Sequence, residues 1–189
     1  LVRVDFNVPM KDGVISDDLR IVEALSTIKY LLNNNAKVIL CSHLGRPDGK
    51  FDEKLSLMPV CERLKTYLPL TRVNFANTFD FEILHEKVEH LDKGELLLLD
   101  NIRFLEGEEN NDTELSLKLA SLADIFVFDA FGTAHRKHCS TYGVSAYLPS
   151  CMGRLVQKEI EVFDKVLNTP KRPLVAILGG GKIGDKLLL

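Results

Sequence analysis

The sequence predicts an α/β fold in which helices cover both faces of a parallel sheet, a Rossmann-like three-layer arrangement. Short apolar runs alternate with helical patterns along the chain, as in folds built from strand–helix–strand units. Several of these runs, such as the four leucines at residues 96–99, are continuously apolar, which is typical of strands buried on both faces. A chain of 189 residues is also long enough to bury a sizeable core.

The first half of the chain is predicted to contain four strands and three helices. Apolar or β-branched side chains predict strands at residues 1–6, 37–41, 72–76 and 95–99. Asp17 and Asp18 open the first helix, because apolar side chains then recur every three or four residues up to Leu32. Two further helices are predicted at about residues 56–68 and 81–88.

The second half continues the alternation. Leucines at helical spacing around Leu119 predict a fourth helix, and residues 125–128 predict a fifth strand. Residues 129–150 follow as a long polar stretch. Apolar residues from Val156 to Leu167 predict a helix that starts after Gly153, and residues 174–178 predict a last strand.

Polar side chains follow the predicted strands, where open α/β sheets bind their ligands. Arginines come from three different loops at this edge, and Arg20 lies in the first turn of the first helix, where the helix dipole favours an anion. Guanidinium groups suit phosphate or carboxylate, so the edge is predicted to bind a small anion. The candidate residues are Asp5, Asn7, Arg20, His43, Arg46, Arg103 and Arg136. Asp5 and Asn7 could orient a hydroxyl group of the ligand.

A structural alternative stays open for each arginine, since it could instead form an ion pair with Asp5, Asp100 or Asp129. His135 and His138 have the spacing of a metal-binding pair, but no Glu or Cys completes a known pattern. We therefore assign no metal to them.

The segment GGGKIGDK at residues 179–186 allows two interpretations. It fails the phosphate-binding pattern GxxxxGK[ST], because Asp185 follows Gly184. Gly179, Gly181 and Gly184 do match the dinucleotide pattern GxGxxG, so a Rossmann-type dinucleotide-binding domain is an alternative. Lys182 and Lys186 would share a helix face, which favours a phosphate-transfer site instead.

Composition excludes several classes of protein. The net charge of −3 does not suggest binding to nucleic acid or to a membrane surface. The longest apolar runs are far shorter than the ~20 residues of a membrane span. The first residues include an aspartate and do not resemble an export signal, so we expect a cytoplasmic protein.

Five motifs together point to one family. They are RVDFNVP at residues 3–9, SHLGRP at 42–47, DNIRF at 100–104, DAFGTAHR at 129–136 and GGGKIGDK at 179–186. In this order and at these separations they resemble the phosphoglycerate kinase family. The resemblance implies phosphoryl transfer between ATP and the carboxylate of 3-phosphoglycerate, with ATP or ADP as co-substrate and Mg²⁺ bound with the nucleotide.

The resemblance also implies a division of the chain. Residues 1–152 would form the 3-phosphoglycerate-binding domain, residues 153–169 the interdomain helix, and residues 170–189 the first strand and turn of a second α/β domain. The chain starts inside a predicted strand and stops after a glycine-rich turn, so we expect part of a longer protein. An isolated substrate-binding segment without catalysis is therefore a further alternative. Separately, we expect the protein to be a monomer.

Each candidate residue takes a role by motif match. Asp5 and Asn7 would contact the hydroxyl and carboxylate region of 3-phosphoglycerate. The basic patch that holds its phosphate and carboxylate would be Arg20, His43, Arg46, Arg103 and Arg136. Arg20 and Lys182 would be catalytic, with Lys182 at the transferring phosphoryl group. Gly180, Gly181 and Lys186 would contact the nucleotide, and the ligands of Mg²⁺ are expected outside this chain.

Overall fold

The computed structural model describes residues 1–175 and residue 177. The chain divides into two units, Leu1–Gln157 and Lys158–Leu189. The first unit is built on a six-stranded sheet whose strands are all parallel. Its strands are β1 (Val2–Val4), β4 (Val38–Cys41), β5 (Val73–Ala76), β6 (Leu96–Leu99), β7 (Phe126–Asp129) and β8 (Ser150–Met152). Their order across the sheet is β5-β6-β4-β1-β7-β8, so β1 and β4 lie in the centre.

Helices cover both faces of this sheet, which confirms the predicted three-layer fold. The helices α1 (Leu19–Asn33) and α2 (Met58–Tyr67) contribute to the core on one face. The helices α3 (Phe81–Glu89) and α4 (Thr113–Ala120) contribute to the core on the other face. Strand β6 serves both cores, because successive side chains of a strand point to opposite faces.

The four leucines of β6 show this division directly. Leu96 and Leu98 belong to the core beneath α1 and α2, whereas Leu97 and Leu99 belong to the core beneath α3 and α4. All four are fully buried, and each contributes about 1.5–3 kcal/mol of hydrophobic stabilisation. A strand buried on both faces therefore requires the continuously apolar sequence that predicted it.

Local hydrogen bonds set the beginnings of several helices. Asp80 caps α3 by accepting from the backbone N–H groups of Glu82 and Ile83, and Asp112 caps α4 by accepting from Leu115 N–H. At α1 the carboxylate of Asp17 accepts from Leu19 N–H. The aspartates that predicted a helix start at residues 17–18 therefore lie just ahead of the helix.

A hairpin and an edge strand were not predicted. A small antiparallel hairpin joins β2 (Met10–Lys11) to β3 (Val14–Ile15), and its turn residues Asp12 and Gly13 have φ angles of 51° and 77°. An Asp-Gly pair with two positive φ angles is a common hairpin turn, so the sequence did carry this signal. The other element is β8, an exposed edge strand at the end of the predicted polar stretch.

The helix α5 (Arg154–Asn168) begins in the first unit and continues into the second. Of the last predicted strand, Leu174, Val175 and Ile177 are described and exposed. The remainder of that strand and the segment at residues 179–186 lie outside the described residues. In the part of the chain that is described, no helix has both the length and the apolar composition needed to cross a membrane.

Candidate anion-binding site

The predicted site residues gather at one edge of the sheet. Asp5 and Asn7 follow β1, and His43 and Arg46 follow β4. Arg103 lies in a single 3₁₀ turn after β6, Ile102–Phe104, and Arg136 lies in the loop after β7. Because all four strands are parallel, their carboxyl ends meet at the same edge, as the strand-end argument predicted.

His43 lies close enough to several arginines for their charges to affect its pKa. Burial lowers the pKa of His43 to about 2, helped by the charges of Arg3, Arg103, Arg136 and Arg20 in that order. The imidazole is therefore neutral at pH 7. Its Nδ1 atom lies 3.1 Å from Nη2 of Arg3, and an arginine can only donate. Nδ1 is thus the acceptor, and the proton of the neutral ring is on Nε2.

Two site residues are used to hold a turn. Asn7 Oδ1 accepts from Gly45 N–H at 2.9 Å, and Arg103 Nη1 donates to the Gly45 carbonyl at 2.8 Å. Gly45 has a φ of 61°, a left-handed conformation that suits glycine. This turn presents the next residue, Arg46, to solvent. Asn7 and Arg103 therefore position Arg46 by holding the turn that precedes it.

One arginine of the candidate set forms an ion pair with a candidate aspartate. Arg20 is half-exposed and forms an ion pair with Asp5. Asp100 instead accepts from the N–H groups of Leu57 and Asn101, and Asp129 accepts from those at the start of α5. In residues 1–175 and 177, neither Asp100 nor Asp129 pairs with an arginine.

Arg103 is buried and its Nε lies 3.0 Å from Oε1 of Glu109. Burial lowers the pKa of Arg103, and the charge of Glu109 opposes that shift. Arg46 and Arg136 differ from it, because their side chains form no ion pair or hydrogen bond with the residues that are described. These two guanidinium groups are therefore the ones open to an external anion.

Sequence reasoning missed the layer beneath the site. Arg3, Glu108 and Ser140 are buried and linked by hydrogen bonds below His43. The signal for Arg3 was present, since a charged residue interrupts the apolar run of the first strand. Glu108 and Ser140 lie in polar stretches, where nothing in the local sequence distinguishes a buried residue from an exposed one.

The two histidines with metal-like spacing lie in different environments. His135 is exposed, whereas His138 is buried. Burial lowers the pKa of His138, and Arg103 lowers it further. Within the described residues, no three side chains of His, Cys, Asp or Glu are grouped so that they could hold a metal ion.

Comparison with known proteins shows which family this chain belongs to. The family model described as phosphoglycerate kinase matches residues 1–189. The chain belongs to the phosphoglycerate kinase family. The resemblance drawn from the five motifs is therefore confirmed. The match includes residues 179–186, so the dinucleotide alternative that rested on those glycines loses its support.

Individual relatives agree with the family match. The phosphoglycerate kinase of Dictyoglomus turgidum is 53% identical over 189 residues, and that of Thermosipho africanus is 52% identical over 187 residues. In each case 99% of this chain is covered, against 47% and 46% of the relative. The chain therefore spans about half the length of these phosphoglycerate kinases.

Solved structures show the same fold. The phosphoglycerate kinase from Coxiella burnetii superposes with a TM-score of 0.83 at 42% identity, covering 98% of this chain and 46% of that one. The phosphoglycerate kinase from Pyrococcus horikoshii also gives a TM-score of 0.83, at 34% identity, with 97% and 46% covered.

Proposed function

We propose that the chain provides the 3-phosphoglycerate half of a phosphoglycerate kinase, which transfers a phosphoryl group reversibly between ATP and the carboxylate of 3-phosphoglycerate. The observation that carries this proposal is the set of arginines from separate loops around a neutral His43. An acidic chain with a net charge of −3 gathers these cations at the edge of the sheet where this architecture binds ligands.

The arrangement matches the needs of the proposed substrate, which carries a phosphate and a carboxylate. Arg46 and Arg136 have guanidinium groups available for a phosphate, which they can bind in a bidentate manner. His43 can donate from Nε2 to an anionic oxygen without adding a charge. Asp5 and Asn7 lie beside them after β1, where the proposal assigns them to the hydroxyl and carboxylate region.

The chemistry of a carboxylate acceptor explains why the described part of the site needs no catalytic acid–base pair. A carboxyl group with a pKa near ~4 is already ionised at pH 7, so no general base has to remove a proton. Phosphoryl transfer then depends on alignment and on stabilisation of charge, both of which guanidinium groups provide. The proposal gives Arg20 this catalytic role, and its pairing with Asp5 fixes its side chain near β1.

The nucleotide side of the reaction is assigned by family membership. Lys182, Lys186, Gly180 and Gly181 lie outside the described residues, and the proposal keeps them at the phosphates of ATP. Mg²⁺ belongs with the nucleotide. Among the seven candidate residues of the described site, Asp5 is the one carboxylate, and it is paired with Arg20, whereas Mg²⁺ prefers several oxygen ligands; the proposal therefore gives the ion no role there.

We propose the following organisation for the protein. Residues 1–152 form its substrate domain, residues 153–169 its connecting helix and residues 170–189 the start of its nucleotide domain. We propose a monomer that works in the cytoplasm. Because the chain spans about half the length of its relatives, binding of 3-phosphoglycerate without turnover is the activity expected of these 189 residues.

Calorimetry on the 189-residue chain tests the proposal. Titration with 3-phosphoglycerate should give saturable binding, and titration with NAD should give none. Glycerate, which lacks the phosphate, should bind more weakly because the contacts of Arg46 and Arg136 are lost. Binding of NAD without binding of 3-phosphoglycerate would overturn the proposal.

A further inference from the structure

Four buried polar side chains form a hydrogen-bonded series that runs from His43, in the anion-binding site, through Arg3 and Ser140 to Glu108. Glu108 and Ser140 have no exposed surface, Arg3 is 1% exposed and His43 is 6% exposed. They come from different parts of the sheet edge: Arg3 lies in β1, His43 follows β4, Glu108 follows β6 and Ser140 follows β7. The series therefore joins the ends of four neighbouring strands.

The hydrogen bonds of this series have a defined direction. Ser140 donates to both carboxylate oxygens of Glu108, from its backbone N–H to Oε2 at 3.0 Å and from its hydroxyl to Oε1. Both oxygens of Glu108 thus act as acceptors, as an ionised carboxylate requires. The same hydroxyl oxygen accepts from Nε of Arg3 at 2.9 Å.

Arg3 connects Ser140 to His43 through its guanidinium group. Its Nε bonds to Ser140, its Nη1 donates to the carbonyl of Val4, and its Nη2 lies 3.1 Å from Nδ1 of His43. All three nitrogens of the planar guanidinium therefore have partners, so the group cannot rotate without breaking a hydrogen bond. Its third partner, His43 Nδ1, is held as an acceptor.

A buried arginine needs a compensating charge, because an isolated charge in the interior is very unfavourable. Glu108 provides it. Burial raises the pKa of Glu108 above its ordinary value, and the charge of Arg3 and the two donors of Ser140, which favour the ionised form, oppose that shift. The negative charge of Glu108 thus allows a positive charge to sit beneath the imidazole of His43.

We propose that Glu108 and Ser140 are positioning residues that act through Arg3 to hold His43 in the neutral tautomer with its proton on Nε2, ready to donate to the bound anion. This inference rests on the proposed function for the identity of the anion. A histidine free to exchange its proton between the two nitrogens would often present a lone pair to the anion, which repels it. The buried series removes that alternative.

The tautomer can be measured without any ligand. In ¹⁵N NMR spectra of the 189-residue chain at pH 7, the two imidazole nitrogens of His43 should show an unprotonated Nδ1 and a protonated Nε2, with the signals assigned from a His43→Gln variant. Ser140→Ala removes the hydroxyl that links Glu108 to Arg3, and Glu108→Gln removes the compensating charge. Each variant should shift the His43 signals toward a mixture of tautomers and weaken 3-phosphoglycerate binding about tenfold.

Ser116→Ala is the matched control, because Ser116 is a buried serine whose hydroxyl bonds to the Asp112 carbonyl outside this series. It should leave both readouts unchanged. A protonated Nδ1 in the wild-type chain, or an unchanged tautomer in a folded Ser140→Ala variant, would overturn the inference. A shifted tautomer in a chain that never binds 3-phosphoglycerate would instead support the buried series and overturn the proposed function.

Discussion

His43 gives the stability of the chain a dependence on pH that its position explains. The pKa of His43 is near 6.5 in the unfolded chain and about 2 in the folded chain, so between these values the unfolded state binds the additional proton. The stabilisation is complete above about pH 6.5 and is lost progressively as the pH falls below it. One such proton corresponds to a slope of about 1.4 kcal/mol per pH unit.

We therefore expect the free energy of unfolding to fall less steeply between pH 6.5 and pH 5 in a His43→Gln variant than in the wild-type chain. Urea unfolding at a series of pH values measures this slope. His138, whose pKa is also lowered, remains in both proteins and cancels in the comparison. Equal slopes would show that His43 takes up a proton in the folded state.

Arg46 allows binding to be separated from stability. Its exposed side chain forms no ion pair with any described residue, so Arg46→Ala should change the free energy of unfolding by less than about 0.5 kcal/mol. Loss of one charged contact should nevertheless weaken 3-phosphoglycerate binding about tenfold or more, as measured by calorimetry.

Arg72→Ala is a suitable control, because Arg72 is also exposed but precedes β5 and lies at the opposite edge of the sheet, 3.6 Å from Glu95. Its removal should leave the affinity unchanged. If both variants bound 3-phosphoglycerate equally well, the assignment of Arg46 to the phosphate would fail.

The junction between β8 and α5 is packed closely against the end of β7 at Gly153. A Cβ atom there would lie 2.3 Å from Cγ of Asp129, whose carboxylate accepts from the N–H groups of Leu155 and Val156. Gly153→Ala should therefore lower the free energy of unfolding by about 3 kcal/mol, because the capping carboxylate has to move. Thermal or urea unfolding measures the change.

Gly13→Ala separates packing from backbone strain in this experiment. A Cβ at Gly13 meets no atom within 4 Å, but the residue has a φ of 77°, so the variant should cost only about 1 kcal/mol. A Gly153→Ala variant no less stable than Gly13→Ala would mean that the start of α5 adapts without loss.

The elements that the sequence predicted well are those whose burial leaves a local pattern. The leucines of β6 are apolar because both faces of the strand are covered, and α1 shows apolar residues at helical spacing because one face packs on the sheet. Strand β8 has no such pattern, since its three residues are exposed and pair only with β7. Its place in the sheet depends on a neighbour that the local sequence does not show.

At the scale of the whole molecule, the rule that ligands bind at the carboxyl ends of parallel strands located the site. It did not locate the buried residues that hold His43 in place. Parallel strands with polar residues after them were sufficient to bring Arg103, Arg136 and His43 together. The link from Glu108 through Ser140 to Arg3 depends on contacts across as many as 137 residues of sequence, and no spacing rule predicts it. Family membership confirmed the resemblance, whereas the roles of individual site residues stay predictions.

The 189-residue chain should bind 3-phosphoglycerate yet show no kinase turnover, because it spans about half the length of its relatives and only its last residues match the nucleotide motif. A coupled assay with ATP and 3-phosphoglycerate measures turnover, with a full-length phosphoglycerate kinase as the positive control. Turnover by this chain alone would show that its own residues complete a nucleotide site.

The cations around His43 differ in their access to solvent, and ionic strength separates them. Arg20 and Arg46 are reached by dissolved ions, so added salt screens their attraction for an anion. Arg3 is buried, so salt ions do not reach it. Its electrostatic effect on the imidazole of His43 therefore persists at high salt concentration. The site therefore combines a long-range attraction that the ionic strength of the solution can weaken with a short-range one that it cannot.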